Sequence, residues 1–186
     1  MACGDGSQFT LTARVTPLPF INAMTAVICS ESSFALTPVN NVNGVVPNLT
    51  TYSWSVPQVT GGVSGGAAAA NVNNLYGSLF NPTSTVQTAV YTIVPKSFYG
   101  FDGDPFTLTV TINPIATITE MSTVTCDGVA FTLTPSGSIN GIVPGGTLYR
   151  WSTPTGSGYS NGASQTSYVP DRKSTRLNSS HANISY

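Results

Sequence analysis

The sequence "FTLTVTI", residues 106–112, alternates between apolar and polar side chains at every position. Successive side chains of an extended chain point to opposite faces, so the apolar residues share one face: Phe106, Leu108, Val110 and Ile112. This period of two predicts a β-strand with one buried face. Similar patterns, and one β-rich run, predict further strands at 9–15, 34–36, 52–54, 86–94 and 131–133.

A second regularity is an internal repeat. A shift of 97 residues aligns 21–57 with 118–154 without a gap, and 17 of these 37 positions hold the same amino acid. The identities include one cysteine, one tyrosine and one tryptophan in each copy: Cys29, Tyr52 and Trp54, then Cys126, Tyr149 and Trp151. Self-similarity at a fixed period indicates a chain built from repeated structural units.

The same shift carries residues 5–17 onto 102–114, the end of a repeat. The predicted organisation therefore has four parts: 1–17 as the last strand of a truncated preceding repeat, 18–114 as a complete repeat, 115–170 as a truncated third repeat, and 171–186 as a non-native tail. About seven short strands in each unit of about 97 residues predict an all-β fold, a β-sandwich.

Turn-forming residues separate the predicted strands, mainly Pro, Asn-Gly and Gly-Gly. The glycine-rich run "GGVSGGAAAA" (61–70) lacks the lysine of a phosphate-binding loop. We interpret it as a flexible connection.

Tyr52 and Trp54 lie two positions apart and therefore face the same side of one predicted strand. A large aromatic residue kept in both copies by strand alternation is what a core between two sheets requires. We interpret Trp54 as a core anchor. The alternative interpretation is an exposed platform on which a sugar stacks.

Composition narrows the class of protein. Only 7% of the residues are charged and 40% are hydrophobic, whereas an average soluble domain has about 25% charged residues. This profile is typical of a polar, uncharged, extracellular β-domain.

The net charge is −1, and outside the tail the cations are only Arg14, Lys96 and Arg150. They are too few and too far apart for nucleic-acid binding, and no run of about eighteen apolar residues predicts a membrane span.

No set of residues combines a nucleophile, a base and an orienting group, so we predict no enzyme, no catalytic residue, no cofactor and no metal site. His181, the one histidine, lies in the tail, and a serine hydrolase needs a histidine to activate its nucleophile. Glu31 and Glu120 have no acidic neighbour to form a glycosidase pair. Asp102 and Asp104 offer two carboxylates, but Ca²⁺ takes six to eight oxygen ligands. We interpret this pair as part of a turn.

Five stretches together resemble the PKD-like, immunoglobulin-like repeats of large secreted and surface proteins of Bacteroidota: "TCDGVAFTLTP", "NGIVPGGTLYRWSTP", "GGVSGGA", "YTIVPKS" and "DPFTLTVTINP". The resemblance covers residues 1–170. It implies an immunoglobulin-like β-sandwich, an extracellular or cell-surface location, and neighbouring repeats of the same chain as partners. It also implies a spacer or adhesin array.

The resemblance bears on the three cysteines. In the family, a cysteine just ahead of the closing "G-x-P-F-T" strand looks paired with the one at the Cys29 position. Cys3 fits the first of these places in the preceding repeat, but "SFYGFDGDPF" (97–106) has no cysteine. The resemblance thus implies that Cys29 lacks its partner and that the partner of Cys126 lies beyond the truncation of the third repeat. A bridge between Cys3 and Cys29 stays an alternative.

Residues 171–186, "DRKSTRLNSSHANISY", differ from everything before them. They hold three of the six Lys and Arg residues of the chain. Their sequence resembles a sequencing-library adapter translated in frame, and the repeat pattern stops just ahead of them. We predict that this tail is not native, against the alternative of a basic functional tail.

Two functions from different classes remain. The first is a non-catalytic structural spacer in a tandem-repeat surface protein, which we favour. The second is an adhesin module that binds a surface glycan or a protein through loops at one end of the sandwich. The adhesin hypothesis predicts that four aromatic side chains are exposed and adjacent: Tyr76, Phe98, Tyr99 and Phe101.

Overall fold

The structure, a computed structural model, describes residues 7–126, 129, 131–137 and 139–151, and the backbone of two strands at 165–169 and 182–184. The regular elements of these residues are β-strands. Over the same residues, no helix has the length and apolar character needed to cross a bilayer.

The first part of the chain forms eleven strands between residues 20 and 113. Their bounds are β1 Phe20–Ile21, β2 Met24–Cys29, β3 Ser33–Leu36, β4 Gly44–Val45, β5 Thr51–Trp54, β6 Gln58–Val59, β7 Ser64–Gly65, β8 Ala69–Val72, β9 Leu75–Phe80, β10 Gln87–Lys96 and β11 Phe106–Asn113. The predicted strands at 34–36, 52–54, 86–94 and 106–112 are therefore confirmed to within two residues at either end.

Two sheets of these strands form the sandwich, and β1 pairs with β4 in a separate two-stranded sheet. The first has the order β2-β11-β10-β5-β8, with β6 also paired to β10. Only β2 runs parallel to its neighbour in this sheet. The second sheet has the order β3-β9-β7 and is antiparallel. Together the sheets form an immunoglobulin-like β-sandwich, as the sequence predicted.

The core fills the space between the sheets. All four apolar residues of the alternating stretch 106–112 are buried. Phe34, Leu75 and Leu79 meet them from the second sheet. Burying each such side chain is worth about 1.5–3 kcal/mol, so the alternation of β11 is a main source of stability.

Trp54 is confirmed as part of this core, since only 6% of its surface is exposed. Its ring stands edge to face against Tyr91, with the centroids 6.3 Å apart. The indole Nε1 donates a hydrogen bond to the carbonyl of Ala67 at 3.0 Å. The polar atom of the buried ring is thus satisfied, as burial requires.

The glycine-rich run 61–70 is more than a flexible connection, and that interpretation was wrong. It contains β7 and the start of β8, which belong to different sheets. Gly65 and Gly66 have φ angles of 92° and 74°. These left-handed conformations are open to glycine, and they turn the chain out of the second sheet toward the first.

Two predicted strands do not form. Residues 9–15 are not a strand, and Phe9 and Val15 are 88% and 93% exposed, although their counterparts in β11 are buried. Residues 131–133 are also not a strand. Their counterparts in β3 pair with β9, whereas the positions 97 residues after β9 hold the unrelated sequence 172–177. In both places alternation is present, but the part of the chain that the structure describes holds no strand paired with it.

The later strands have the following bounds: β12 Thr117–Ile118, β13 Met121–Thr123, β14 Gly141–Ile142, β15 Tyr149–Trp151, β16 Gln165–Val169 and β17 Ala182–Ile184. β15 pairs with β16, as β5 pairs with β8. The tail strand β17 pairs with β13 in antiparallel fashion. Residues 24–26 of β2 are the counterpart of β13, and β2 pairs with β11 in parallel fashion. The pairing of β13 with β17 therefore differs from that of its counterpart in the sandwich.

Local structure recurs at the 97-residue shift. The pairing of β1 with β4 returns in that of β12 with β14, residue for residue. The Thr50 hydroxyl donates to the Pro47 carbonyl at 2.6 Å, and the Thr147 hydroxyl donates to the Pro144 carbonyl at the same distance. Similar sequence thus produces the same local geometry in both copies.

Candidate functional site

The turn between β10 and β11 carries the aspartates considered as a calcium pair. Asp102 lies 3.4 Å from the ammonium of Lys96 in an exposed ion pair. The turn itself is closed by hydrogen bonds from the Ser97 amide to the Phe101 carbonyl and from the Gly100 amide to the Ser97 carbonyl. Among the described residues, no three His, Cys, Asp or Glu side chains group together as a metal site would require. The geometry is that of a tight turn.

Three exposed aromatic residues project from this turn: Phe98, Tyr99 and Phe101. The rings of Phe98 and Tyr99 meet edge to face, with centroids 5.3 Å apart. The guanidinium carbon of Arg14 lies 5.0 Å from the centroid of the Tyr99 ring. This cation–π contact joins the segment before the sandwich to the end of the sandwich.

A cavity of about 430 Å³ surrounds this contact. Three segments line it: 14–17, 47–49 and 97–99. We call it the junction cavity, because 14–17 belongs to the predicted preceding repeat and the other two segments belong to the complete one. Arg14 is its one charged lining residue.

Leu49 lines the junction cavity in a strained conformation. Its φ is 61°, in the left-handed region, and its side chain is 69% exposed. For a bulky residue this conformation costs about 1–2 kcal/mol. The counterpart of Leu49 is Gly146, which has a φ of 79° and no such cost. The glycine in the second copy was a sequence signal for a left-handed position that the sequence analysis missed.

Tyr76 lies elsewhere. Its ring meets that of Trp54 edge to face at 5.7 Å, and it lines a separate groove of about 770 Å³ with residues 33–35 and 65–68. All four aromatic residues of the adhesin hypothesis are exposed. Phe98, Tyr99 and Phe101 share one turn, whereas Tyr76 borders a different groove.

A buried hydroxyl lies beneath that groove. Tyr91 is 1% exposed, and its hydroxyl has no hydrogen-bond partner among the described residues. A Cβ added to Gly66 or Gly77 would lie 2.8 or 3.0 Å from this oxygen. The two glycines therefore leave room for the hydroxyl, and burial raises the pKa of Tyr91. A glycine inside a strand, as Gly77 is, often marks such a close approach.

The opposite end of the sandwich is held by Asn81, which is completely buried. Its amide group donates to the carbonyls of Thr85 at 2.8 Å and Ile112 at 3.1 Å. Its side-chain oxygen accepts from the Thr83 amide at 2.9 Å. Asn81 and Ser84 lie in the loop between β9 and β10, and a Cβ on Gly137 would lie 3.7 Å from the Cβ of Ser84. The loop is thus stabilised by its own hydrogen bonds and lies close to the predicted third repeat.

The cysteine positions correct an implication of the resemblance. Cys29 ends β2 and pairs with Asn113, the last residue of β11. The counterpart of Cys3 is Gly100, in the turn that precedes the first residue of β11. These positions lie at opposite ends of the sandwich, so a disulfide between positions 29 and 100 is excluded in this sandwich. Cys29 and Cys126 are free and exposed, and Cys3 lies outside the described residues.

The sequence was compared with models of known protein families. Residues 26–116 match the family described as PKD-like domain. Comparison with curated proteins and with solved structures finds no match. The family match indicates an extracellular module of structural or adhesion type, a class that is generally not catalytic. Residues 26–116, which hold most of the β-sandwich, are thus similar to a PKD-like domain.

Proposed function

We propose that this PKD-like domain is a non-catalytic spacer, one link in a tandem array of repeats in an extracellular surface protein. The observation that carries the proposal is the contact at both ends of the sandwich. Arg14 lies over Tyr99 at one end, and Ser84 lies beside Gly137 at the other. A spacer that fixes the orientation of its neighbours needs such contacts with the units before and after it.

The connections between units also suit a spacer. Residues 16–19 are "TPLP" and residues 113–116 are "NPIA". Proline fixes its φ angle, and proline-containing linkers behave as semi-rigid spacers. Short, stiff connections with contacts on both sides favour a fixed angle between neighbouring units.

The alternative function is an adhesin module, and one observation favours it. The groove beside Tyr76 offers an exposed aromatic ring held in place by Trp54. Its lining contains small and apolar residues and no charged residue. A neutral glycan or a protein loop is the kind of ligand that such a groove suits.

Backbone relaxation by NMR on the full chain tests the spacer. We expect amides in 20–113 and 117–151 to report one common tumbling time. In a control with four glycines inserted between Pro114 and Ile115, the two segments should show different tumbling times. Independent tumbling in the unmodified chain would contradict the rigid spacer.

Binding assays test the adhesin alternative. The full chain is screened by surface plasmon resonance against neutral glycans and extracellular matrix proteins. The spacer proposal expects no saturable binding stronger than about 1 mM, or −4 kcal/mol. Saturable binding that is lost in Tyr76→Ala and kept in Tyr99→Ala would favour the adhesin.

A further inference from the structure

The three cysteines of the chain occupy two positions of the repeat. Cys29 and Cys126 are equivalent under the 97-residue shift, and Cys3 is equivalent to Gly100. In the sandwich, position 29 ends β2, whereas position 100 lies in the turn between β10 and β11 at the opposite end. Each end of the sandwich therefore carries one of the two cysteine positions.

Position 29 lies where the chain leaves the sandwich. Cys29 is exposed and is the register partner of Asn113, the last residue of β11. The Ser30 amide donates a hydrogen bond to the Asn113 carbonyl at 2.8 Å, so the pairing of the two strands continues to the end of β11. Neighbouring strands are about 5 Å apart. A thiol at position 29 is therefore next to the start of the segment that connects to the next repeat.

Position 100 lies where the chain enters the sandwich. A Cβ on Gly103 would collide with the carbonyl of Pro19, so the turn contacts the residue directly ahead of β1. A Cβ on Gly100 would have no atom within 4 Å. A side chain at position 100 would therefore project into open space at the end where the preceding repeat is attached.

The connecting segment is too short to keep these two ends apart. Thr16 is the counterpart of Asn113, and the three residues from Thr16 to Pro19 span at most about 11 Å. One contact already bridges this segment, because the guanidinium carbon of Arg14 lies 5.0 Å from the centroid of the Tyr99 ring. In consecutive repeats, the exit of the first and the turn of the second are therefore neighbours.

From these observations we infer that position 29 of one repeat and position 100 of the following repeat form a disulfide site across the junction. Cys29 supplies one thiol, and its partner is a cysteine in the turn of the next repeat of the array. Cys3 shows that a repeat can carry cysteine at that turn position. At the junction before the sandwich the turn holds Gly100 instead, so that junction is not covalent. The inference rests on the proposed spacer function and adds which of its junctions are cross-linked.

The bond forms by oxidation of the two thiols, which together lose two protons and two electrons. The oxidant is another disulfide, of a small molecule or of an oxidoreductase, which accepts both and leaves as two thiols. Such bonds persist in extracellular proteins, the class that the family match indicates.

Cysteine substitutions in the full chain test the site. Thr16→Cys places a thiol at the exit of the preceding repeat, where Asn113 adjoins position 29 in the sandwich. Gly100→Cys with Phe101→Gly copies the Cys-Gly pair of residues 3–4 into the turn, and it removes the strain of a cysteine followed by a bulky residue in a tight turn.

The native Cys29 stays in this variant as a competitor, while Cys3 and Cys126 are replaced by serine. After oxidation by glutathione disulfide, peptide mapping by mass spectrometry should find position 100 bridged to position 16 at least about tenfold more often than to position 29. The reason is that a disulfide needs Cα atoms within about 7 Å, which the far end of β11 does not allow. In concentrated urea the two bridges should form to similar extents, because the loops they close are similar in length.

A matched control moves the second thiol to the other end of the sandwich. Val86 is exposed and directly precedes β10, whose first residue pairs with Ile112. Thr16→Cys with Val86→Cys should give no bridge under the same conditions. The inference is overturned if position 100 does not bridge to position 16, or if its preference for position 16 is no greater in buffer than in urea.

These outcomes are separable from the failure of the spacer itself. If the two segments tumble together but position 100 does not bridge to position 16, the spacer stands and the disulfide site does not. If they tumble independently while the bridge still forms, the disulfide site stands and the rigid spacer does not.

Discussion

The indole of Trp54 and the carbonyl of Ala67 are joined by a hydrogen bond of 3.0 Å. Trp54 belongs to the first sheet, and Ala67 lies on the segment that crosses from the second sheet to the first. One side chain therefore fills the core and also fixes the crossing chain. The same crossing segment borders the groove beside Tyr76.

The first prediction concerns this anchor. Trp54→Ala should lower the free energy of unfolding by about 3–5 kcal/mol, because it removes apolar burial and leaves a cavity. Urea unfolding followed by circular dichroism measures the change. Val56→Ala is the control, since Val56 is exposed and should change stability by less than about 0.5 kcal/mol. A loss below about 1 kcal/mol for Trp54→Ala would contradict the core assignment.

A second prediction concerns the unpartnered hydroxyl of Tyr91. A buried polar group without a partner costs about 1–3 kcal/mol, so Tyr91→Phe should leave the stability unchanged or raise it. The measurement is the urea midpoint, with Tyr76→Phe as a control on an exposed tyrosine. Marked destabilisation by Tyr91→Phe would mean that the hydroxyl has a stabilising partner in solution.

Alkaline pH should unfold the domain through its buried tyrosines. Burial raises the pKa of Tyr52 from 10.0 to about 12, and it raises that of Tyr91 as well. The unfolded chain therefore loses these protons at a lower pH than the folded protein. Stability is complete below about pH 10 and declines as the pH rises toward 12. Thermal melts across this range should show the decline, and Tyr52→Phe should reduce it; a flat profile would contradict the prediction.

The cysteine geometry gives a fourth prediction. Gly100→Cys places a thiol where the preceding repeat has Cys3, in a chain that retains Cys29. Eight residues of β11 separate the two ends, which amounts to roughly 23 Å, whereas a disulfide needs Cα atoms within about 7 Å. Peptide mapping after oxidation by glutathione should find no bridge between positions 29 and 100. An intramolecular bridge between them would contradict the strand register.

The fifth prediction concerns the tail. Strand β17 pairs with β13, which lies outside residues 18–114. Deletion of 171–186 should therefore leave the thermal melt of the sandwich unchanged. Calorimetry of the full chain and of 1–170 measures this, and a drop of several degrees would favour a structural role for the tail.

Much of the sandwich was predictable from local pattern. The alternation in 106–112 identified both the strand and its buried face, because side chains in an extended chain point to opposite sides by geometry alone. The same reasoning identified Trp54 as a core residue. It failed for 9–15 and 131–133, where the pattern is equally regular but no strand among the described residues pairs with it by hydrogen bonds.

The candidate site was less predictable. The sequence singled out the aromatic residues 98–101, but not Arg14 or Leu49, which complete the junction cavity with them. Its grouping of Tyr76 with the turn was not borne out, because Tyr76 meets Trp54 at the edge of another groove. Contacts between segments more than thirty residues apart depend on how the sheets cross, which no local pattern encodes.

By itself, the sequence determined the strand pattern, the 97-residue recurrence and the near absence of charge. These follow from side-chain chemistry and backbone geometry within a few residues. Only the tertiary structure decided which residues meet: Arg14 with Tyr99 at one end, and Cys29 with Asn113 at the opposite end from Gly100. The reason is physical. Strand order and register are set by the packing of two whole sheets, and that packing brings together residues far apart in the chain.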